Sequence, residues 1–280
     1  MHESQFTGMV VTDLDGTLLH PGGVLSRFDL STLRTLASRG ILRVIATGRS
    51  LFSARKVLYP GLPIDYLIFS SGAGIVEWRS QRIIRKCTMS AYQVECAAQL
   101  LLKMNLEFMI HHPIPENHRF HYFGTGENNP DFLRRLELYR DHAVMGNAHN
   151  FMYRDACQII AVEPYDGVRS SYHLVAKQLY GLTVIRTTSP IDHRSIWIEI
   201  FPPAVSKSQA AEWIRLRHDI QVGNVLAVGN DYNDLDLLSW ARHRFVVGNA
   251  PDDMRMRFPI VRSSNESGFS EAVQHWLLEG

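Results

Sequence analysis

Asp13-Leu14-Asp15-Gly16-Thr17 directly follows the apolar run Met9-Val10-Val11, and this arrangement is the most informative feature of the sequence. Two carboxylates two residues apart at the end of a buried strand are costly to hold together unless a cation or a reaction uses them. Aspartate and glycine are also ordinary turn residues, so an acidic turn at Gly16 is the alternative. The residues that share this end of the strand distinguish the two interpretations.

Short apolar runs alternate with amphipathic stretches on both sides of these aspartates. The N-terminal part has predicted strands at 9–12, 41–46 and 66–69, separated by predicted helices at 26–39 and 50–58. Near the C-terminus a strand at 222–228, a helix at 235–240 and a strand at 245–247 repeat the alternation. This alternation is typical of a parallel sheet covered by helices, which predicts an α/β fold.

The middle of the chain has a different pattern. It mixes helical stretches at 91–103, 131–138 and 168–180 with strand-like runs at 107–110, 157–162, 182–186 and 196–201. We interpret it as an α+β domain inserted into the first. The expected division is a first domain at 1–86, an inserted domain at 87–201 and the rest of the first domain at 202–280.

Composition excludes several classes of partner. The 280 residues include 29 basic and 28 acidic side chains with no long run of either sign, so neither nucleic acid nor a membrane surface is an expected partner. Residues 1–6 lack a basic region followed by an apolar stretch, and we expect a cytoplasmic protein. Cys87, Cys96 and Cys157 lack metal-type spacing and are expected to be reduced thiols.

Several polar groups are expected at one edge of the predicted sheet. In parallel sheets ligands bind at the carboxyl ends of the strands. Asp13 and Asp15 follow the first strand, Thr47-Gly48-Arg49 follow the second, and the acidic loop Gly229-Asn230-Asp231-Tyr232-Asn233-Asp234 follows the C-terminal strand at 222–228. Lys207 begins an amphipathic helix that contains Ala211, Ile214 and Leu216.

With these motifs the chain resembles the haloacid dehalogenase superfamily, specifically its magnesium-dependent sugar-phosphatase branch with a cap of type IIB. The motifs are Asp13-Leu14-Asp15-Gly16-Thr17, Ala46-Thr47-Gly48-Arg49, Val205-Ser206-Lys207, Asn233-Asp234 and Gly248-Asn249-Ala250. The resemblance covers the core, and the middle segment matches by position and size. It implies a Rossmann-like, three-layer parallel-sheet core with an inserted α+β cap domain.

The roles of the two aspartates follow from the chemistry of phosphate esters. Such a reaction needs an in-line nucleophile, a proton for the leaving oxygen and positive charge for the equatorial oxygens. Asp13 is the candidate nucleophile, forming an aspartyl-phosphate, and Asp15 is the candidate acid and base. Two carboxylates beside a phosphate dianion require a divalent cation, and oxygen ligands favour Mg²⁺. The resemblance assigns this metal to Asp13, the Asp15 carbonyl and the acidic loop.

The phosphate itself is expected to bind Thr47, Gly48, Lys207 and Asn233, with Asp234 orienting Lys207. Thr47 alone could be a helix N-cap or a turn residue, and Lys207 alone could be a surface lysine. A lysine in the first turn opposes the helix dipole, which favours a functional role. Arg49 stays outside the catalytic set because it could equally pair with an acid at the surface.

The acidic loop departs from the family pattern, in which Asp directly follows Gly. Here that residue is Asn230, followed by Asp231. An Asn carbonyl still binds Mg²⁺ but brings no charge, which should weaken the site. Alternatively, a small shift of the loop brings Asp231 to the metal, and the sequence leaves both open.

A histidine-rich stretch in the middle segment runs from His111-His112-Pro113 to His118-Arg119-Phe120-His121. No cysteine or paired spacing supports a zinc site, so surface-loop side chains are expected.

The sequence therefore predicts a Mg²⁺-dependent phosphatase for a small phosphorylated metabolite, most simply a sugar phosphate. The alternatives are a phosphohexomutase with the same nucleophile, and a non-catalytic module that binds phosphorylated metabolites. Substrate identity and oligomeric state are not predicted.

Overall fold

The computed structural model describes residues 6–20, 22–126, 129–148, 151–165 and 170–279. The chain divides into two compact units. The core unit comprises Met1–Arg85 and Ser206–Gly280, and the cap unit comprises Lys86–Val205.

The N-terminal segment of the core unit alternates strands with helices as expected. Its strands are β1 (Gly8–Asp13), β2 (Ile41–Ala46), β3 (Tyr66–Phe69), β4 (Gly74–Glu77) and β5 (Arg82–Lys86), and its helices are α1 (Arg27–Ser38) and α2 (Leu51–Ala54). Ser26 caps α1 by accepting a hydrogen bond from the Asp29 N–H, which explains where the helix begins.

The cap unit follows with a mixed order of elements. Its helices are α3 (Ala91–Lys103), α4 (Pro130–Leu138) and α5 (Tyr172–Gln178), and its strands are β6 (Glu107–His111), β7 (Phe120–Phe123), β8 (Ala143–Met145), β9 (Gln158–Glu163), β10 (Thr183–Thr188) and β11 (Ile196–Phe201). In the described residues they form one sheet in the order β10-β11-β9-β6-β7-β8. Apolar side chains of α3 and α5 pack against one face of it.

The chain then completes the core unit. The remaining strands are β12 (Val225–Gly229), β13 (His243–Val247) and β14 (Ile260–Val261), and the remaining helices are α6 (Lys207–Arg217), α7 (Leu235–Trp240), α8 (Asp252–Arg257) and α9 (Gly268–Glu279). Ser206 caps α6 through the Gln209 N–H.

The core sheet has the order β14-β13-β12-β1-β2-β3-β4-β5 in the described part of the chain. Neighbours from β14 to β3 are parallel, and β4 is antiparallel to β3. All six residues of β1 are buried, so both faces of the central strand are covered. This parallel-rich sheet confirms the predicted α/β class, and it brings the carboxyl ends of β1, β2, β3 and β12 to one edge.

Some predicted elements were wrong in extent. The helix expected at 50–58 is observed as the single turn Leu51–Ala54. After it, the N–H groups of Lys56 and Val57 donate to carbonyls three residues earlier, not four, so the chain forms 3₁₀-type turns before Pro60. The strand expected from 222 starts at Val225, since Gly223 and Asn224 favour the short 3₁₀ turn that precedes it.

Two further expectations concern helices. The helix expected at 168–180 is observed as Tyr172–Gln178, and its first two expected residues lie outside the described residues. Leu216 was expected on the apolar face of α6 but is 62% exposed, whereas Ala211 and Ile214 are buried. Five positions beyond Ala211, Leu216 lies about 140° further round the helix, on its solvent side.

Membrane spans and cysteine pairing can both be examined in the described residues. No helix in this part of the chain combines the length and apolar character needed to cross a membrane. Cys87, Cys96 and Cys157 are all free thiols.

Candidate active site

The strand register brings the predicted site residues to one edge of the core sheet. Asp13 is the last residue of β1 and lies opposite Ala46, the last residue of β2. Thr12 lies opposite Val228 of β12, one residue before that strand ends. Asp13, Thr47 and Asn230 therefore occur at the ends of adjacent parallel strands.

Lys207 lies at the centre of this edge and is completely buried. Its ammonium donates hydrogen bonds of 2.6 Å to Asp13 Oδ1 and 2.6 Å to Asp234 Oδ1. The surface-lysine alternative is therefore wrong. Burial lowers the pKa of Lys207, but the two carboxylates outweigh it and raise the pKa above its usual value, so the lysine is charged.

The environment of Asp13 disfavours the ionised form of its carboxyl group. Burial and the negative charge of Asp234 raise the pKa of Asp13 to about 7, although Lys207 opposes this shift. One lysine cannot balance two buried carboxylates when both are ionised, so a further cation beside Asp13 would favour its ionised form.

The acidic loop after β12 is closed by reciprocal hydrogen bonds. Asp234 Oδ2 accepts from the N–H groups of Asn230 at 2.8 Å and Asp231 at 3.1 Å, and the Asp231 side chain accepts from the Asp234 N–H. The Asp231 carboxylate thus caps the 3₁₀ turn Tyr232–Asp234. Burial raises the pKa of Asp234, against the lowering effects of Lys207 and the two N–H groups. Asn233 is half-buried within the same turn.

Thr47 is buried at the end of β2. Its hydroxyl accepts from the Arg49 N–H at 3.1 Å, and its carbonyl accepts from the Ser71 N–H at 3.0 Å. Ser50, not Thr47, caps the short helix α2. The Thr47 hydroxyl therefore accepts a hydrogen bond within the turn, and it can still donate its own hydrogen to a ligand. Gly48, the next residue, is half-buried.

Asp15 has a partner that sequence analysis left outside the site. Arg49 Nε donates to Asp15 Oδ2 at 2.7 Å and Arg49 Nη2 donates to Asp15 Oδ1 at 2.7 Å. Both side chains are partly exposed, at 32% for Arg49 and 41% for Asp15. The sequence signal was the position of Arg49 directly after Thr47-Gly48, at the same sheet edge as Asp15.

Asn230 is directed at the two candidate metal ligands. One terminal atom of its amide lies 3.1 Å from the Asp15 carbonyl oxygen, 3.2 Å from Asp13 Oδ2 and 3.0 Å from Thr17 Oγ1. The Asn230 amide can have two orientations. If its nitrogen occupies this position, the amide donates hydrogen bonds to the three acceptors. If its oxygen occupies it, oxygen atoms of Asp13, Asp15 and Asn230 face one another with no proton between them.

This spacing fits a small divalent cation. Adjacent oxygen ligands of octahedral Mg²⁺ are about 3 Å apart, given Mg–O distances of about 2.1 Å. The candidate donors are one carboxylate, one backbone carbonyl and one amide; the described residues contain no group of three or more His, Cys, Asp and Glu that could hold a metal ion.

A second missed contact fixes the loop that contains Asp15. Asn249 Nδ2 donates to the Gly16 carbonyl at 2.8 Å, while Asn249 Oδ1 accepts from the Ser264 N–H at 2.8 Å. Gly16 has φ +75°, a conformation that glycine adopts without strain. The asparagine of the Gly248-Asn249-Ala250 motif therefore holds the turn after β1.

The histidines of the cap unit do not form a metal site in the described residues. His111 is buried in β6 and donates from Nδ1 to the Asn117 carbonyl at 2.8 Å, so its expected place in a surface loop was wrong. Its position between β7 and β9 explains the burial. His112 and His121 stack on each other, and His118 packs edge-on against His142.

Comparisons with known proteins find similar sequences along nearly the whole chain. Residues 10–273 match the family model described as haloacid dehalogenase-like hydrolase. The chain is 24% identical to the 5-amino-6-(5-phospho-D-ribitylamino)uracil phosphatase of Bacillus subtilis, covering 97% of this chain and 98% of that protein. It is also 24% identical to an HMP-PP phosphatase of Yersinia pestis, covering 95% of this chain and 93% of that protein.

Solved structures share the fold over the whole chain. A phosphatase of the same superfamily from Bacteroides thetaiotaomicron superposes with a TM-score of 0.76 at 20% identity, covering 99% of this chain and 97% of that one. A subclass IIB sugar phosphatase superposes with a TM-score of 0.74 at 17% identity, covering 96% of this chain and 99% of that one.

Proposed function

Because the chain belongs to the haloacid dehalogenase-like hydrolase family, we propose that it is a Mg²⁺-dependent phosphatase acting on a small phosphorylated metabolite, most simply a sugar phosphate. The observation that carries this proposal is the buried Lys207 ammonium, 2.6 Å from both Asp13 and Asp234. A buried ion pair adds little stability, whereas phosphoryl transfer needs positive charge beside the nucleophile. Relatives named as phosphatases of small metabolites support it.

The reaction takes place in two steps. A carboxylate oxygen of Asp13 attacks phosphorus, so that an aspartyl-phosphate forms and the bond from phosphorus to the leaving oxygen breaks. Asp15 gives its proton to that leaving oxygen. Asp15 then takes a proton from water, whose oxygen attacks phosphorus, releasing inorganic phosphate and regenerating the Asp13 carboxylate.

The phosphoryl oxygens are held by the groups around Asp13. Lys207 supplies positive charge, and Thr47, Gly48 and Asn233 supply hydrogen bonds. Asp234 fixes the ammonium through its 2.6 Å hydrogen bond, which leaves Lys207 little freedom to turn away. Such preorganised donors stabilise the charge that the transition state spreads over the phosphoryl oxygens.

Mg²⁺ would be held by the Asp13 carboxylate, the Asp15 carbonyl and Asn230. When bound, it neutralises the charge of the phosphate beside Asp13. Asn230 is proposed as the loop ligand in preference to Asp231, because the Asp231 carboxylate already caps the turn Tyr232–Asp234.

The proposal also covers the roles of the domains, the cellular location and the partners. The inserted segment at 87–201, between core segments 1–86 and 202–280, is proposed as the cap domain that selects the substrate. A cytoplasmic location and the absence of nucleic-acid or membrane partners remain predictions from the near-neutral composition.

The test is hydrolysis of p-nitrophenyl phosphate and of a panel of sugar phosphates by purified protein with Mg²⁺. We expect turnover that stops when EDTA removes the metal. Asp13→Asn should lower kcat by at least about 10³-fold, because an amide oxygen cannot replace the nucleophilic carboxylate. Mass spectrometry of acid-quenched wild-type protein should find the phosphoryl group on Asp13.

Circular dichroism and thermal melting of Asp13→Asn provide the folding control. Full turnover in a folded Asp13→Asn protein would contradict the nucleophile assignment. Transfer of phosphate between hydroxyls of a hexose bisphosphate without release of inorganic phosphate would favour a mutase, and binding without turnover would favour the non-catalytic module.

A further inference from the structure

Arg49 holds the Asp15 carboxylate in a two-pronged ion pair. Nε and Nη2 of Arg49 each lie 2.7 Å from a different oxygen of Asp15. A planar guanidinium that binds both oxygens of a carboxylate fixes its plane as well as its position, which a single charge cannot do.

The backbone of Arg49 is fixed at both of its polar groups. Its N–H donates to Thr47 Oγ1 at 3.1 Å, and its carbonyl accepts from the Ser70 N–H at 2.8 Å. Ser70 and Ser71 follow β3 with φ of +49° and +53°, a conformation that ordinary residues adopt at a cost of about 1–3 kcal/mol. This strained turn anchors the base of the Arg49 side chain.

The ion pair leaves part of the Asp15 carboxylate open to a substrate. Each carboxylate oxygen has two lone pairs, and the guanidinium occupies one on each. The second lone pair of each oxygen remains for the substrate or for water. Arg49 therefore determines the direction in which Asp15 presents its proton.

We propose that Arg49 is the positioning residue for the acid and base Asp15, so that its guanidinium determines how efficiently a poorly acidic leaving group is expelled. The inference rests on the proposed phosphatase function. Because Arg49 acts through Asp15, replacing Arg49 should slow most the substrates whose leaving group must be protonated by Asp15. Substrates whose leaving group departs without protonation should be slowed least.

The strand that precedes Arg49 offers a matched control. Arg43 in β2 binds both oxygens of Asp65, with Nε at 2.9 Å and Nη2 at 2.7 Å. Arg43 lies three residues before the end of β2, away from the edge that carries Asp13 and Asp15. Replacing either arginine by lysine removes the same kind of paired contact while keeping the charge.

The experiment compares wild type, Arg49→Lys, Asp15→Asn and Arg43→Lys on aryl phosphates of graded leaving-group acidity and on one alkyl phosphate that wild type hydrolyses. The quantity compared is kcat/KM, because it reports expulsion of the leaving group and not the later hydrolysis of the aspartyl-phosphate, which all substrates share. We expect Arg49→Lys to lower kcat/KM by no more than about threefold with p-nitrophenyl phosphate, and by at least about tenfold more with the alkyl phosphate. Asp15→Asn should show the same trend with a larger amplitude. Arg43→Lys should lower all rates by one factor or none.

A double variant tests whether Arg49 works through Asp15. Adding Arg49→Lys to Asp15→Asn should lower kcat/KM on the alkyl phosphate by less than about twofold, because the group that Arg49 positions is already lost. Free guanidinium should restore part of the alkyl-phosphate rate of Arg49→Ala without changing its rate on p-nitrophenyl phosphate.

Two outcomes overturn the inference while leaving the phosphatase intact. One is an Arg49→Lys penalty on kcat/KM that is equal for all leaving groups, which would make Arg49 a phosphate-binding or purely structural residue. The other is full additivity in the double variant. Absence of turnover in wild type, or full turnover in Asp13→Asn, would instead contradict the proposed function.

Discussion

Asn230 is the residue at which this site departs most from the family pattern. Its amide lies 3.1 Å from the Asp15 carbonyl and 3.2 Å from Asp13 Oδ2, at a sequence position where the resemblance implies an aspartate. A neutral ligand lowers the negative charge available to a divalent cation. The metal should therefore bind weakly until the phosphate dianion of a substrate supplies the missing charge.

Asn230→Asp tests this effect directly. Restoring a carboxylate beside Asp13 should tighten Mn²⁺ or Mg²⁺ binding by at least about tenfold, because an added charge within about 4 Å of the cation is worth more than 1.4 kcal/mol at an effective dielectric constant near 20. Electron paramagnetic resonance titration with Mn²⁺ measures the affinity without relying on turnover.

Asp231→Asn is the matched control, one residue along the chain. Its carboxylate caps the turn Tyr232–Asp234, so the substitution should change metal affinity far less than Asn230→Asp does. If instead Asp231→Asn abolishes metal binding and Asn230→Asp leaves it unchanged, Asp231 is the loop ligand.

Individual residues could be placed from the sequence when their strand was recognisable. Asp13 and Thr47 follow continuous apolar runs, so their shared edge follows from the βαβ pattern. The ion pair of Arg49 with Asp15 could not be assigned in the same way. A partly exposed arginine has many conformations, and the pairing depends on a backbone held by Ser70, which lies 21 positions further along the chain.

Elements show the same distinction between local and long-range causes. Helix α3 has the predicted limits because a capping box of Ser90 and Gln93 is local to its start. The helix expected at 50–58 was too long, since its apolar residues Val57 and Leu58 belong to a tightened turn before Pro60. The burial of Lys207 could not be predicted from its neighbouring residues, because its partners Asp13 and Asp234 are distant in sequence.

The turn after β3 is coupled to the start of helix α6 through Gly72. Gly72 has φ +111°, and a Cβ atom there would lie 2.2 Å from the Ser206 carbonyl oxygen. Ser206 is the N-cap of α6, directly before Lys207. The turn that anchors Arg49 therefore packs against the helix start that positions the ammonium.

Gly72→Ala should lower the free energy of unfolding by about 2–4 kcal/mol, combining a positive-φ alanine with a backbone clash. It should also lower kcat, since relief of the clash displaces Lys207. Urea denaturation and turnover measure the two effects. Gly61→Ala is the control, because a Cβ there meets only the Tyr59 ring at 3.6 Å and should change stability by less than about 1 kcal/mol.

At the scale of the whole molecule, the cap unit contributes a distinct dependence of stability on pH. His111 is 3% exposed, and burial lowers its pKa from the usual 6.5 to about 3, helped by the positive charges of Arg135, His112 and His118. Its Nε2 has no hydrogen-bond partner among the described residues. Burial also lowers the pKa of His112, His118 and His121.

The folded chain therefore binds protons less readily than the unfolded chain. Because the pKa of His111 is lower in the folded state, its contribution is complete above pH 6.5 and is lost as the pH falls from 6.5 towards 3. Between pH 7 and pH 5 this residue alone should lower the free energy of unfolding by about 2 kcal/mol.

His111→Gln should make the acid side of the stability profile shallower. Glutamine can still donate to the Asn117 carbonyl but cannot be protonated, so the variant should lose about 2 kcal/mol less than wild type between pH 7 and pH 5, even if it is less stable at pH 7. Urea denaturation monitored by circular dichroism at several pH values measures this difference. His173→Gln, on the exposed side of α5, should follow wild type at every pH. Parallel profiles for His111→Gln and wild type would mean that the folded cap unit accepts a proton on His111 without penalty, which a buried imidazole beside Arg135 should not allow.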